Sequence, residues 1–191
     1  MSEGRLTYHL ARLRIPLGFL CGVAVLWLAA PTSRTVMTGG VVAFAGEALR
    51  IWAAGHLNKA REVTRSGPYR WLAHPLYTGS SVMGLGLAIA SGRAIVAVLI
   101  ATYLVLTMTA AVRSEETLLR QRFGDAYDRY RATAGRGVVG PRARTGDERR
   151  RFRVTQAIAN GEHRTIVGLA VAILLLLLKA TYNGTFWQPG G

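Results

Sequence analysis

The chain has 191 residues, of which half are hydrophobic, and a formal net charge of +14. This length suits one ordinary domain better than two. So many apolar residues beside so many arginines exclude a soluble protein whose surface mixes the two evenly. The two kinds of residue are in fact separated along the chain. Arginine supplies 22 of the 24 basic residues, mostly within 5–14, 59–70 and 113–164.

Five apolar stretches fill the gaps between the basic ones. A membrane-spanning helix needs about 20 apolar residues, or about 17 at the short end. We therefore predict an all-α, polytopic membrane protein with about five transmembrane helices. The predicted helices are 15–31, 36–57, 75–91, 94–112 and 165–180. The first could also be a secretory signal, but the apolar stretches behind it favour an anchor.

The basic residues of the loops predict the orientation of these helices. With the N-terminus inside, twenty basic residues lie in inside segments, and only Arg34, Arg93 and Lys179 lie outside. Because inside loops are enriched in lysine and arginine, the sequence predicts an N-in, C-out topology. We expect an integral protein of a bacterial or archaeal cytoplasmic membrane.

Several apparent ligand-binding signals are weak. Cys21 is the single cysteine and the histidines show no ligand spacing, so we predict no metal. The basic charge suits the anionic headgroups of the lipid bilayer as well as nucleic acid, and no nucleic-acid recognition module is visible. The pattern G-x-G-x-x-G at 135–140 lacks the strand and helix that a dinucleotide site requires.

The second apolar stretch contains two charged residues. Glu47 and Arg50 are spaced i, i+3, so both lie on one face of a helix. A charge at membrane depth costs a few kcal/mol and commonly marks a paired or functional site. The sequence leaves two alternatives for Glu47 and Arg50: a structural ion pair between helices, or a functional role.

A stiff, aromatic segment leads into the third stretch: "RSGPYRWLAHPLYTG", residues 65–79. Gly67-Pro68 signals a turn, and Pro75 suits a first helical turn, where its missing N–H costs nothing. The aromatic residues suit a membrane interface. That explanation does not account for His74 beside Pro75 with Tyr77 close behind.

Two adjacent carboxylates follow the fourth stretch. Glu115 and Glu116 repel each other unless a cation is near; Glu116 is spaced i, i+4 from Arg120, which favours a surface pair. An aromatic stripe comes next, and we expect it to lay its helix against the membrane domain. The stripe consists of Phe123, Tyr127 and Tyr130.

These pieces together resemble the superfamily of isoprenylcysteine carboxyl methyltransferases and phospholipid methyltransferases, which are integral membrane enzymes. The resemblance covers about residues 46–141. It rests on "TRSGPYRWLAHPLYTG" (64–79), "EE" (115–116), "FGDAYDRYR" (123–131) and the proline–arginine pair at 141–142. Each motif alone is weak, but all occur in order on a basic protein with several apolar stretches.

The resemblance implies S-adenosyl-L-methionine as methyl donor, in a cytoplasm-facing pocket formed by helices around 60–80 and 110–145. Carried over by position, the cofactor-binding residues would be Arg61, Glu62, Val63, Thr64, Tyr69, His74, Pro75, Leu76, Tyr77 and Glu115. Glu115 and Glu116 are the candidate catalytic residues. Arg113 is a candidate for contacting the substrate, a lipid-like or small hydrophobic methyl acceptor.

The chain also departs from the superfamily pattern. Ala73 stands where the superfamily usually has arginine, Gly140 replaces the valine of a valine-proline-arginine run, and a further apolar stretch follows the motifs. We divide the chain into N-terminal transmembrane helices (1–57), a methyltransferase core (58–144), and a basic linker with a C-terminal transmembrane helix (145–191).

Two other functions fit the sequence. One is an NADPH-dependent membrane reductase of the sterol-reductase type, and the other is a non-catalytic lipid-binding membrane protein. Within the methyltransferase hypothesis, the acceptor atom could belong to a carboxylate, an amine or a thiol.

Overall fold

The five long helices of the structure contain the five predicted apolar stretches almost completely, but two of them are longer than predicted: the first begins at Glu3, and the fourth continues to Phe123. The computed structural model describes residues 3–58, 64, 66–133 and 152–184, and every regular element within them is helical. Besides a 3-10 turn at Gly67–Arg70, the described elements are α1 Glu3–Leu28, α2 Ser33–His56, α3 Pro75–Ala90, α4 Ala94–Phe123, α5 Asp125–Thr133, α6 Val154–Ala159 and α7 Glu162–Tyr182. The all-α prediction is confirmed.

In the described part of the chain, three helices are long and apolar enough to cross a membrane: α2, α4 and α7. Helix α3 and the Pro16–Leu28 part of α1 are apolar but shorter. Large apolar side chains such as Phe19, Val98 and Leu174 are exposed, as expected where lipid replaces water around a helical bundle. These features support an integral membrane protein, while five crossings and an N-in orientation stay predictions.

The helix ends follow from local sequence. Helix α2 begins with a capping box, in which the Thr35 backbone N–H donates to Thr32 Oγ1 (3.2 Å) and the Thr32 N–H donates to Thr35 Oγ1 (2.9 Å). Helix α3 begins at the buried Pro75, as predicted. Helix α4 ends at Phe123, and the Gly124 that follows has a φ of +48°, which suits glycine.

Helices α2 and α3 are in backbone contact through four buried glycines, Gly39, Gly46, Gly79 and Gly86. A Cβ on Gly46 would lie 2.5 Å from the Met83 nitrogen and 2.6 Å from the Gly79 carbonyl oxygen. Small residues allow this close approach, which is typical of helix pairs in membranes. The glycine content of the third apolar stretch therefore serves packing.

The remaining long helices pack around this pair. Helix α4 packs against α3 and α1, and α7 packs against α2. Lys179 of α7 donates hydrogen bonds to the carbonyl oxygens of Leu26 (2.6 Å) and Trp27 (2.7 Å) at the end of α1. The arrangement brings four helix ends together: the C-terminal ends of α2 and α4 and the N-terminal ends of α3 and α7. We call this region the site end of the bundle.

Candidate functional site

The segment that leads into α3 is anchored against the end of α2. Thr64, Ser66, Pro68 and Tyr69 are all buried. Gly67 has a φ of +58°, and a Cβ there would lie 2.6 Å from His56 Nδ1, so both conformation and space require glycine. The segment is thus a fixed wall of the site end.

His74 lies at the junction between this segment and α3. Its carbonyl oxygen accepts hydrogen bonds from the N–H groups of Tyr77 (3.1 Å) and Thr78 (3.0 Å), which holds the first turn of α3. The imidazole is directed elsewhere: its Nε2 lies 3.0 Å from Glu116 Oε1. The His74 and Tyr77 rings are 5.8 Å apart between centroids. The HPxY residues therefore meet the acidic pair of α4.

Glu116 is held by His74 and Arg131 rather than by Arg120. Besides its contact with His74, Glu116 Oε1 accepts a hydrogen bond from Arg131 Nε of α5 at 2.9 Å. Arg120 instead donates to Asp128 at 3.0 Å on the exposed surface. The surface pair predicted between Glu116 and Arg120 is wrong, because the turn at Gly124 folds α5 back and brings other partners to both residues.

Helix α5 is fastened to the site by its aromatic stripe. Tyr127 is 1% exposed and Tyr130 is 7% exposed. The Tyr130 hydroxyl donates to the carbonyl oxygen of Tyr69 at 3.1 Å, with the Leu72 carbonyl oxygen 3.4 Å away. The stripe therefore packs α5 against the segment before α3, in agreement with the sequence interpretation.

Glu115 has a different environment from its neighbour. It is half-buried, and within the described residues its carboxylate makes no hydrogen bond or ion pair. Burial raises the pKa of the Tyr69 hydroxyl well above its usual range, and the nearby Glu115 carboxylate raises it further. The Tyr69 hydroxyl is therefore neutral, and the Glu115 carboxylate lies near it at the site end.

Two buried hydroxyl groups at the site end have no hydrogen-bond partner among the described residues: those of Ser66 and Tyr127. Buried polar groups in folded proteins are nearly always satisfied, so each such group indicates water or a ligand. The arrangement can therefore receive a molecule that carries several polar groups.

A hydrogen-bond network around Arg50 contacts the first turn of α3. Arg50 Nε and NH2 donate to the two carboxylate oxygens of Glu162 at 3.2 and 3.0 Å. Its NH1 donates to Ser80 Oγ and lies 3.5 Å from the Leu76 carbonyl oxygen. Sequence reasoning identified Glu47 and Arg50 but missed Glu162. The available signal was that Glu162 is an acidic residue at the start of an apolar helix.

The structure brings most of the predicted site residues together. Those that converge at the site end are Thr64, Tyr69, His74, Pro75, Leu76, Tyr77, Glu115 and Glu116. Arg113 is exposed on α4. Arg61, Glu62 and Val63 lie outside the described residues, as do the proline–arginine pair at 141–142 and the glycines of 135–140. In the described part, no group of three or more His, Cys, Asp or Glu residues is placed to hold a metal ion.

This geometry defines an all-α membrane protein with a polar site at one end of an apolar helical bundle. Residues 50–126 match the sequence model of the phospholipid methyltransferase family. This segment contains the HPxY residues and both glutamates of the acidic pair. The match confirms the resemblance of the motifs to the superfamily of isoprenylcysteine carboxyl and phospholipid methyltransferases.

Two curated proteins are similar to the chain. The nickel-cobalt-cadmium resistance protein NccN of Alcaligenes xylosoxydans xylosoxydans is 31% identical over 109 residues, which are 56% of this chain and 50% of that protein. The protein-S-isoprenylcysteine O-methyltransferase of Schizosaccharomyces pombe is 28% identical over 94 residues, 49% of this chain and 40% of that protein. The matched regions thus span half or less of these relatives. No solved structure matches the chain significantly.

Proposed function

We propose that the protein is a membrane methyltransferase that uses S-adenosyl-L-methionine. The proposal rests chiefly on one observation: within the matched segment 50–126, the HPxY turn and the acidic pair meet through the contact between His74 and Glu116. The isoprenylcysteine methyltransferase relative supports the same reaction class. We further propose that the site end faces the cytoplasm and that residues 58–144 form the catalytic core.

The residues at the site end suit the chemical groups of this cofactor. Glu115 offers an available carboxylate for its ammonium group. The faces of Tyr69 and Tyr77 can attract a sulfonium cation. The unsatisfied hydroxyls of Ser66 and Tyr127 offer donors or acceptors for its remaining polar groups.

The two glutamates have distinct proposed roles because their surroundings differ. When bound, the cofactor supplies an electrophilic methyl group on sulfur. Glu116 orients His74 and fixes α5, since its carboxylate is already shared by His74 and Arg131. With a carboxylate acceptor no base is needed, and Glu115 only binds the ammonium group of the cofactor. With an amine or thiol acceptor, Glu115 would instead take the proton of the acceptor. Holding both reactants close supplies much of the rate enhancement.

A cavity in the bundle supports a lipid-like acceptor. It has a volume of about 740 Å³ and lies between α1, α3, α4 and α7. Its lining is mostly apolar, with Ser80 among the lining residues on α3. The space is open to the outside of the bundle, where its lining residues Phe19, Val23 and Val171 are exposed. An apolar, partly open space of this size suits a hydrocarbon group. Ser80 also contacts Arg50, which connects the cavity wall to the site end.

We expect micromolar, saturable binding of S-adenosylhomocysteine to the purified protein in calorimetric titration, and no binding of NADPH. The first result would support the cofactor, because S-adenosylhomocysteine carries its ammonium, carboxylate and adenine groups. Binding of NADPH alone would place the protein with membrane reductases. Binding of neither, in detergent and again in bilayer nanodiscs, would favour the non-catalytic lipid-binding function.

Filling the cavity should block the acceptor and leave the cofactor site intact. A Cβ on Gly168 of α7 meets no atom within 4 Å, and Gly168 lines the cavity, so Gly168→Phe places a ring there. We expect at least a tenfold loss of labelled methyl transfer into a membrane lipid extract, with S-adenosylhomocysteine affinity changed less than twofold. Ile166→Phe, on an exposed position of α7, is the control. Equal transfer by both variants would contradict the assignment of the cavity.

A further inference from the structure

The helix pair α6–α7 follows the segment that matches the methyltransferase family, and it carries a buried carboxylate. Glu162, the first residue of α7, is 4% exposed. Its two oxygens accept hydrogen bonds from Arg50 at 3.2 and 3.0 Å, and Arg50 NH2 also lies 3.4 Å from Thr165 Oγ1. Bidentate arginine–carboxylate pairs fix the relative orientation of their two helices.

The same guanidinium reaches α3 with its remaining nitrogen. Arg50 NH1 donates to Ser80 Oγ, and Ser80 Oγ donates to the Leu76 carbonyl oxygen at 2.9 Å. The Leu76 carbonyl also lies 3.5 Å from Arg50 NH1. Leu76 stands between Pro75 and Tyr77, so this chain of contacts joins α7 to the turn that directs His74 toward Glu116.

The nearby Glu47 is not an equivalent partner for Arg50. It is 2% exposed and its Oε2 lies 3.4 Å from Arg50 Nε, but neither of its oxygens makes a hydrogen bond within the described residues. The donors of Arg50 are directed instead to Glu162, Ser80 and Thr165. Both acids are ion-paired with Arg50, but of the two it is Glu162 that accepts the hydrogen bonds of the guanidinium.

Helix α6 provides a second connection between this helix pair and the site end. Asn160 Nδ2 donates to the carbonyl oxygens of Ala54 (2.8 Å) and Leu57 (3.0 Å) at the end of α2, where helix carbonyl groups lack intrahelical donors. Phe152 packs against His56, with ring centroids 6.0 Å apart. His56 in turn contacts the turn at Gly67.

We propose that Glu162 is a positioning residue for the cofactor site: through Arg50 and Ser80 it holds the first turn of α3, and with it His74 and Tyr77. The helix pair α6–α7 then helps to position the residues of the cofactor site and is not only an additional membrane anchor. This inference rests on the proposed use of S-adenosylmethionine.

The test is calorimetric titration of the detergent-purified protein with S-adenosylhomocysteine. This measurement gives the fraction of protein that can bind and the dissociation constant as two separate results. Glu162→Gln removes the charge with little change in shape, and Ser80→Ala interrupts the same contacts at α3 without leaving a buried charge. We expect the dissociation constant to rise at least fivefold in Glu162→Gln and at least threefold in Ser80→Ala, with the competent fraction unchanged.

Two controls separate positioning from general stability. Glu47→Gln alters the other acid beside Arg50, and Lys179→Met removes the contacts between the far end of α7 and α1. Both should leave the dissociation constant within twofold of the unchanged protein. An unchanged dissociation constant in both Glu162→Gln and Ser80→Ala, or a loss confined to the competent fraction, would overturn the positioning role. Failure of the unaltered protein to bind would instead overturn the proposed function and this inference with it.

Discussion

Replacing Glu115 or His74 by alanine is expected to weaken S-adenosylhomocysteine binding more than tenfold, which corresponds to about 1.4 kcal/mol. Glu115→Ala removes the carboxylate that has no partner within the described residues and lies near Tyr69. His74→Ala removes the imidazole that joins the first turn of α3 to Glu116. Titration of each purified variant measures the effect.

Asp125→Asn provides the matched control for the loss of an acid. Asp125 is exposed in the first turn of α5, and no ion pair of Asp125 is found among the described residues. Asp125→Asn should bind S-adenosylhomocysteine with an affinity within twofold of that of the unaltered protein. All variants should be extracted from the membrane and elute normally. If both Glu115→Ala and His74→Ala kept full affinity, the assignment of the cofactor site to this end of the bundle would be wrong.

Gly86→Leu is expected to prevent the protein from folding correctly, or to lower its thermal midpoint by at least about 6 °C. A Cβ on Gly86 would overlap the backbone of Ala43, and it would lie 2.5 Å from the Gly39 carbonyl oxygen. Backbone atoms of two packed helices cannot move aside as a flexible side chain does. Overpacking against backbone should therefore cost about 3 kcal/mol, the upper end of the usual range. A loss of about 3 kcal/mol lowers the midpoint of a chain of this size by roughly 6–12 °C.

The same substitution at Gly22 tests whether the effect is specific to the contact between α2 and α3. A Cβ on Gly22 of α1 meets no atom within 4 Å, so Gly22→Leu should keep a normal thermal midpoint. Thermal unfolding and size-exclusion chromatography in detergent measure both variants. A normal midpoint and elution for Gly86→Leu would show that the two helices are not in backbone contact.

Local signals in the sequence were sufficient for the helices and for most of the candidate site. Pro75 marks the start of α3, where a missing N–H costs nothing, and the apolar stretches predict the positions of the long helices. The "HPLY" and "EE" motifs indicated residues that the structure brings into contact through His74 and Glu116. Their meeting could be expected only through the family resemblance, since 42 positions separate them.

Side-chain partners were less predictable, because each depends on how distant segments pack. Spacing alone paired Glu116 with Arg120, whereas the turn at Gly124 brings Arg131 to Glu116 and Asp128 to Arg120. An i, i+4 spacing permits an ion pair, but in solvent such a pair is worth only a few tenths of a kcal/mol. Better-placed partners on a folded-back helix therefore replace it.

The sequence by itself determined that this is an all-α protein of apolar helices, where its turns fall, and which superfamily residues 50–126 resemble. These properties depend on hydropathy, proline and glycine, whose effects are local. Only the tertiary structure decided that Arg50 pairs with Glu162, 112 positions away, and not chiefly with Glu47 one turn before it. A buried guanidinium takes the partner that satisfies most of its donors, and packing of α7 against α2 supplies that partner.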